Sequence, residues 1–404
     1  MKRALITGAR APVALHLARL FADSGYEVVA ADTLRAPLAR ASRHVARYHR
    51  LAAPAENPAG FAAALGDVIA AERPGLVIPT CEEIFYLAWA FETFGFSGAG
   101  QAPPPRLIAP SFAALARAHD KAVFAQDAKA FGLAPPETRR LTTPADLDRL
   151  KPDAHRLVFK PVWSRFAAKT LIAPDRGQLD RVLPSPRVPW VAQELVAGEE
   201  LCAYAVAERG RVTALQIYRP LYRAGLGAGI YFEPVAEPQI ARDVAAYTLA
   251  THWSGQISFD FRRDAAGRPR VLECNPRATS GVHFFGPGTR LAAALADGVQ
   301  AEPSVDRAMM IGGAMLGYAL GPAIVAGRIG SWARDFRRAQ DVMAWPGDRL
   351  SPWVAPRAML ELAGIARGRG MTLIEASTAG IAWDGQPIGE TTGQQDELLA
   401  AATA

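Results

Sequence analysis

Along residues 255–262 (GQISFDFR) apolar and polar side chains alternate, with Ile257, Phe259 and Phe261 on one side and Gln256, Ser258 and Asp260 on the other. That period belongs to a half-buried strand. A second extended run, residues 270–275 (RVLECN), comes after a stretch whose Asp, Gly and Pro are turn chemistry. The spacing predicts a hairpin. A turn centred between Ala266 and Gly267 sets Asp260 opposite Glu273 and Ser258 opposite Asn275, all four on one face, and sends Cys274 into the core.

Upstream, the pattern alternates between short apolar runs and amphipathic stretches. It predicts strands at 3–7, 27–31, 76–79 and 106–108 and helices at 11–24, 58–72 and 82–94, an open, doubly wound parallel sheet. The prolines at 103–105 mark a domain edge. Beyond it, Lys121 opens a helix and Lys160 ends a strand, 157–160, just before Pro161. Strands at 190–195, 202–206 and 212–220 and a helix at 239–252 lead to the hairpin. In the C-terminal part, helices are expected at 328–338 and 358–368, with paired strands at 372–375 and 381–383 before a polar tail. Residues 308–327 carry no charge over a span long enough to cross a bilayer. Their glycines and Pro322 favour a buried helix broken near Gly321 and Pro322, with a membrane span as the alternative.

The predicted hairpin is chemically unusual. Two carboxylates facing each other across a sheet repel unless a counter-charge intervenes. Asp260, Glu273 and Asn275 offer only hard oxygens, which suit Mg²⁺, a cation that takes one or two carboxylates and completes its shell with substrate phosphates. A solvated acidic face is the other reading. At the strand end after Pro79, Thr80, Glu82 and Glu83 either touch a ligand or cap the next helix. The first turn, from Thr7 to Pro12, has one glycine and lacks the dinucleotide-binding signature, although Asp32 stands where a ribose-binding acid would.

Charge narrows the partners. The net charge of +6 comes from arginine spread along all 404 residues, without the dense basic run of a nucleic-acid arm, so an acidic or phosphorylated small molecule suffices. Lysine is rare: Lys2, Lys121, Lys129, Lys151, Lys160 and Lys169 are all there are. Where a flexible point charge is needed, arginine does not replace it. Lys160 closing an apolar strand is costly unless an anion meets it, the alternative being a solvated strand end. Cys81, Cys202 and Cys274 are far apart and unlike any metal spacing, the usage of a reduced cytoplasmic protein. The N-terminal residues read as the first strand of the fold and not as a secretory leader.

Taken in order, Lys121, Lys160-Pro161, Gln193-Glu194, Gly198-Glu199-Glu200, Asp260 and Glu273-Cys274-Asn275-Pro276-Arg277 resemble the ATP-grasp superfamily over roughly residues 100–300. The resemblance implies an α/β chain in three parts: an N-terminal open parallel-sheet domain (1–105), a two-lobed α+β ATP-grasp region (106–300) with a lid subdomain near 121–200, and a C-terminal extension (301–404). It implies ATP and Mg²⁺ as cofactors. Lys121 and Lys160 would hold phosphates, Gln193 and the backbone of Glu194, Leu195 and Val196 would meet adenine, and Glu200 would accept from the ribose hydroxyls. Asp260, Glu273 and Asn275 would hold the metal, and Arg277 would face the transferring phosphoryl group or a substrate carboxylate. Weaker candidates are Ser164, Arg165 and Lys169 in the lid, and Glu82, Arg219, Arg223 and His283 toward substrate; a lone histidine in an apolar stretch is equally a structural residue. The lid lacks the glycines common in this family, which puts its grip on phosphate in question.

Members of the family mostly activate a carboxylate as an acyl phosphate that an amine then attacks. The expected activity is therefore an ATP-dependent carboxylate–amine ligase acting on a small acid and a small amine in the cytoplasm, with no nucleic acid and no membrane as partner. Ligation or carboxylation with a non-amine nucleophile, a non-catalytic nucleotide-binding module and, from the first turn, a nicotinamide-dependent oxidoreductase are the competing readings. For residues 301–404 three uses stay open: covering the active site, binding the second substrate, or joining two copies of the chain.

Overall fold

In the computed structural model, residues 2–96, 103–164, 169–225 and 227–389 are described; Arg165 and the polar tail from 390 onward lie outside them. The apolar centres of β1 (Lys2–Thr7) and β2 (Tyr26–Asp32) pair in parallel, as a strand buried on both faces does. With β3 (Val45–Arg50), β4 (Leu76–Ile78) and β5 (Arg106–Leu107) they form a parallel sheet of order β3-β2-β1-β4-β5. Helices Pro12–Asp23, Pro58–Glu72 and Ile84–Phe94 make the connections. The strand order reverses between β1 and β4, and the loops that leave those two strands diverge there, the place where open sheets of this kind collect ligands. Edge strand β3 was not expected from the sequence. Its pattern, VARYHR, leaves most positions half-exposed or exposed and carries no apolar stripe.

Two antiparallel sheets follow. The smaller one, β6 (Thr138–Leu141), β7 (Leu157–Pro161), β8 (Leu171–Ile172) and β9 (Trp190–Glu194), runs in the order β6-β9-β7-β8 over a core of its own that includes Leu141, Phe159 and Trp190. The larger comprises β10 (Glu200–Glu208), β11 (Arg211–Ala224), β12 (Ala228–Pro234), β13 (Gly255–Arg263), β14 (Pro269–Asn275), β15 (Met309–Met310) and β16 (Gln340–Asp341), ordered β14-β13-β10-β11-β12-β15-β16. One face of β10 and β13 presents Leu201, Phe259 and Phe261 to Phe124 of helix Lys121–Ala130 and Tyr247 of helix Pro238–Ala250, and Cys274 is buried in this layer. The hydrophobic face is therefore used up, and the polar face of the hairpin is left to the interior cleft. Gln256 ties this sheet to the first one. It accepts from Tyr204 Oη at 2.9 Å and donates to the carbonyl of Pro79 at 2.9 Å.

The C-terminal part corrects two expectations. Residues 372–375 are not a strand but enter a helical turn, Leu373–Ala376, because Thr372 and Glu375 cap each other's backbone, and 381–383 form no strand. Residues 312–325 are helical through a π turn, Met315–Ala319, that runs directly into Leu320–Val325, so Pro322 sits in a helix entered without a break. That segment is buried on one side only, by Met315, Ala319 and Ala323, while Leu316 and Ile324 are exposed. No helix among the described residues is long and apolar enough to cross a membrane. Helices Ile329–Arg338 and Val354–Arg369 complete the region, close to the expected spans.

Candidate active site

The β13–β14 hairpin reaches the expected pairing by an unexpected route. Its turn closes Arg263 onto Pro269, with Gly267 at φ +77° accepting the left-handed conformation and donating to Asp264 O at 2.9 Å. Continued without interruption, that register would face Asp260 with Leu272. A bulge after Phe261–Val271 adds Leu272 to β14, and beyond it Asp260 pairs with Glu273 and Ser258 with Asn275. The bulged carbonyl of Leu272 accepts from Gln193 Nε2 at 3.2 Å, and the same amide donates to Thr138 Oγ1 at 3.0 Å. The Gln193 side chain, expected at the nucleotide, thus braces the hairpin against β6 and β9.

Two lysines meet one carboxylate here. Lys160 Nζ donates to Glu273 Oε2 at 3.2 Å, and Lys121 Nζ lies 3.5 Å from the same oxygen. Asp120 caps the helix that Lys121 opens, accepting from the backbone N–H groups of Ala122 and Val123 at 3.0 Å, and so fixes the root of that lysine. Lys121 Nζ also donates to Ser164 O at 2.8 Å, which brings the base of the lid segment into the cluster. Lys160 is 7% exposed, so it is not a solvated strand end. Asn275 Nδ2 donates to Asp260 Oδ2 at 3.0 Å.

The two acids are thereby driven apart. Burial raises the Asp260 pKa, and Glu273 and Glu200 nearby raise it further. For Glu273 burial acts in the same upward sense, but Lys121 and Lys160 outweigh it and hold the carboxyl well below the usual range. Among the described residues no three His, Cys, Asp or Glu side chains gather to hold a metal by themselves. Two carboxylates and an amide oxygen are what the face supplies, a hard-oxygen set that fits Mg²⁺ sharing its shell with phosphate and water.

Arg277 closes the cleft toward the first sheet. Its Nε donates to Glu82 Oε1 at 2.8 Å, so Glu82 pairs with an arginine and does not cap its helix. Burial opposes the guanidinium charge, and Glu82 more than offsets that, leaving the Arg277 pKa raised. Neighbouring Glu83 turns back instead, accepting from Thr7 Oγ1 at 2.7 Å and the Thr80 backbone at 3.1 Å. On the sheet floor, Ser258 Oγ donates to Arg277 O at 3.0 Å and Thr279 Oγ1 to Ser258 Oγ at 2.9 Å, while Tyr218 Oη donates to Thr279 Oγ1 at 3.3 Å. Tyr218 and Thr279 were not singled out from the sequence. Thr279 stands two residues beyond Arg277 and was legible from that position; Tyr218 carried no signal beyond strand alternation.

The remaining candidates divide. Glu200 is ion-paired to Arg223, and Arg262 lies 3.4 Å from it; Arg223 also contributes to the field at Asp260, so this arginine belongs to the cluster. Arg219 does not: it spans Glu199 and Glu233 at 2.6 Å each. The backbone N–H groups of Glu194 and Leu195 are engaged by Glu137 O and Arg156 O, and Val196 is buried beside them where β9 ends. Lys169 is exposed and holds φ +58°, a left-handed conformation that glycine would adopt more easily. Ser164 is buried and donates to Pro161 O at 3.1 Å. His283 is brought to a different cavity, away from all of these.

The crevice that a dinucleotide would need is filled. Asp32 accepts from the Arg10 backbone at 2.8 Å and from its guanidinium at 2.7 Å, and Arg10 in turn donates to the carbonyl of Ala379 at 3.1 Å. Ile381 lines what space remains, about 10 Å³, far short of the ~300 Å³ at the lower end for small-molecule sites.

No protein-family model matches the sequence, and no curated protein is similar to it in sequence. Solved structures are similar in fold. An L-amino acid ligase from Bacillus licheniformis superposes with a TM-score of 0.56 over 76% of this chain and 78% of its own, at 18% identity. N5-Carboxyaminoimidazole synthetase from Staphylococcus aureus, complexed with ADP, gives 0.56 over 76% and 80%, at 11% identity. Phosphoribosylamine–glycine ligase from Thermotoga maritima gives 0.56 over 76% and 78%, at 17% identity. The fold is the ATP-grasp fold expected from the ordered motifs.

Proposed function

We propose that the chain is an ATP-dependent ligase that activates a small carboxylic acid as its acyl phosphate and joins it to an amine. The observation that carries this reading is the convergence of Lys121 and Lys160 on Glu273, beside Asp260 and Asn275, in a chain with the fold of known ligases. A lone carboxylate does not need two buried ammonium groups. A triphosphate with its metal does, because phosphoryl transfer is mostly positioning and charge stabilisation.

Asp260, Glu273 and Asn275 would hold Mg²⁺ in this scheme, which would supply neutralisation of charge on the phosphate oxygens. Lys121 and Lys160 bind phosphate, the backbone from Glu194 to Val196 receives adenine, and Glu200, oriented by Arg223 and Arg262, accepts from ribose. Ser164, Arg165 and Lys169 belong to the lid. Arg277, aimed by Glu82, presents a planar fork of donors to the acid or to the group in transfer. A carboxylate oxygen attacks the terminal phosphorus and ADP leaves; the amine nitrogen then attacks the acyl carbon and phosphate leaves.

In this reading residues 1–105 form the first domain, 106–300 the nucleotide-binding region with its lid near 121–200, and 301–404 an extension. Three free cysteines, two of them buried, accord with work in the cytoplasm. The test is a screen of acids and amines for ADP formation, with the mass of the product identifying the bond made. ADP released only when acid and amine are both present supports the reading; nucleotide binding without acid-dependent turnover overturns it in favour of a regulatory module.

A further inference from the structure

His283 lines a cavity of about 270 Å³ bounded by none of the residues of the acidic cluster. That volume is close to the lower end for small-molecule sites, about 300 Å³. Three separate parts of the chain build it: His16 from helix Pro12–Asp23, the segment around His283 and Gly286, and residues between Ser304 and Pro346 that flank β15 and β16. Its walls are aromatic and aliphatic. The His16 ring meets Trp345 edge-on with centroids 5.0 Å apart and His283 edge-on at 4.9 Å, and Val305, Met309 and Val342 add to the apolar lining.

The polar groups are few. His16 Nε2 donates to Phe285 O at 2.8 Å, which leaves its Nδ1 as an acceptor; Nδ1 of His16 and Nδ1 of His283 are both enclosed without a hydrogen-bond partner among the described residues. No Asp or Glu lines the cavity. Asp348, a buried acid two residues beyond Pro346, is taken up by Arg19 Nε at 2.8 Å and Ser42 Oγ at 2.7 Å. Exposed Arg307 lies at the mouth and donates to the Gln340 side chain, which also lines the opening. A cation with no carboxylate across from it and an apolar chamber behind it ask for a ligand with an anionic end and an apolar body.

We infer that this cavity binds a small monocarboxylate with an aromatic or branched apolar body, the body against Trp345, Val305 and Met309 and the carboxylate on Arg307. The site is independent of the proposed ligation, since it needs neither nucleotide nor metal. It stands behind the turn Ser280–Phe284, whose near end, Thr279, is hydrogen-bonded to Ser258 on the acidic face.

Calorimetry on the full chain without nucleotide tests the inference, with phenylacetate as the probe, benzylamine as a probe of the same body and opposite charge, and acetate as one without a body. Arg307→Ala and Ala344→Trp, both at exposed rim positions, remove the charge and block the mouth. Phenylacetate is expected to bind one to one, about tenfold more tightly than either other probe, about tenfold more weakly to Arg307→Ala, and not at all to Ala344→Trp. No binding of phenylacetate up to about 10 mM, equal binding of benzylamine, or undiminished binding to both variants overturns it. The last outcome would locate the probe elsewhere in the chain, and ADP formation with acid and amine would be unaffected by any of them.

Discussion

Arg277 and Glu82 form a nearly buried ion pair, 2.8 Å from Nε to Oε1, that joins the end of the acidic hairpin to the loop after β4. The pair fixes the direction of the guanidinium across the seam between two sheets. Removing the Glu82 charge leaves Arg277 buried beside a neutral amide, a loss on the order of 3 kcal/mol. Glu82→Gln is expected to unfold at lower urea and to lower kcat with KM for ATP little changed, because on the proposed reading Lys121 and Lys160 carry nucleotide binding while Arg277 acts on the acid or the group in transfer. A variant with parental stability and parental kcat would show that the pair positions nothing.

Glu273 is the hub of the cluster, since both lysines and, across the sheet, Asp260 depend on it. Glu273→Ala takes away a proposed metal ligand and leaves Lys121 and Lys160 without their shared carboxylate. Turnover is expected to fall by about a thousandfold, as when a charge-stabilising group is lost. The circular dichroism spectrum is expected to stay that of a folded chain, because Lys121 keeps its bond to Ser164 O. An active, folded variant would remove the metal from the scheme.

The hairpin shows what the sequence can and cannot disclose. Asp260 and Glu273 pair as alternation predicts, yet the turn is one residue shorter than a centre between Ala266 and Gly267 requires, and the bulge at Leu272 restores the register. Two local irregularities cancel, and neither is visible in a period-two pattern. At the other extreme, Thr372 and Glu375 stand at capping-box spacing on either side of a short apolar pair, and that signal outranks the β-branched composition that suggested a strand. The acids and Lys160 were legible because their chemistry is costly in isolation, whereas Arg277 came with the family resemblance. The contributions of Ser258, Tyr218 and Thr279 depend on which strands become neighbours, which composition does not reveal.

Acid should weaken the fold through its buried histidines. Burial holds His16 down at about 4, with Arg19 adding to the effect, and His283 well below its ordinary value for the same first reason. Unfolded, both would titrate near 6.5, so between that pH and the folded values the unfolded chain binds more protons. Stability is therefore unaffected by these groups above about pH 7 and falls as pH drops from ~6.5 toward 4, by roughly 3 kcal/mol for His16 alone. Urea midpoints measured at several pH values check this. His283→Leu is expected to flatten the slope relative to the parent, whereas an identical slope would leave the acid sensitivity to His16 and the carboxylates.

The C-terminal segment reaches the root of the lid through Trp383. Its ring stacks on Phe85 with centroids 4.8 Å apart and meets Phe112 at 5.3 Å and Trp163 at 5.8 Å, while Tyr86 Oη donates to Ala382 O at 3.0 Å. Trp163 precedes Ser164, whose carbonyl receives Lys121, so the packing of an indole near the C-terminus bears on a lysine proposed to bind phosphate. Gly385 holds φ +88°, and the Trp163 ring occupies the place where a Cβ would project. Gly385→Ala is thus expected to push Trp163 aside without opening a cavity, raising KM for ATP about tenfold while the acid and amine constants move less. Trp383→Ala, which does open a cavity, should add a stability loss of about 3–5 kcal/mol. Trp332→Ala, in a separate cluster with Ala224 and Met315, serves as the control: it should lower stability and leave KM for ATP alone. Equal KM for ATP in the Gly385 variant and the parent would mean that the C-terminal segment only shields the apolar surface beneath it.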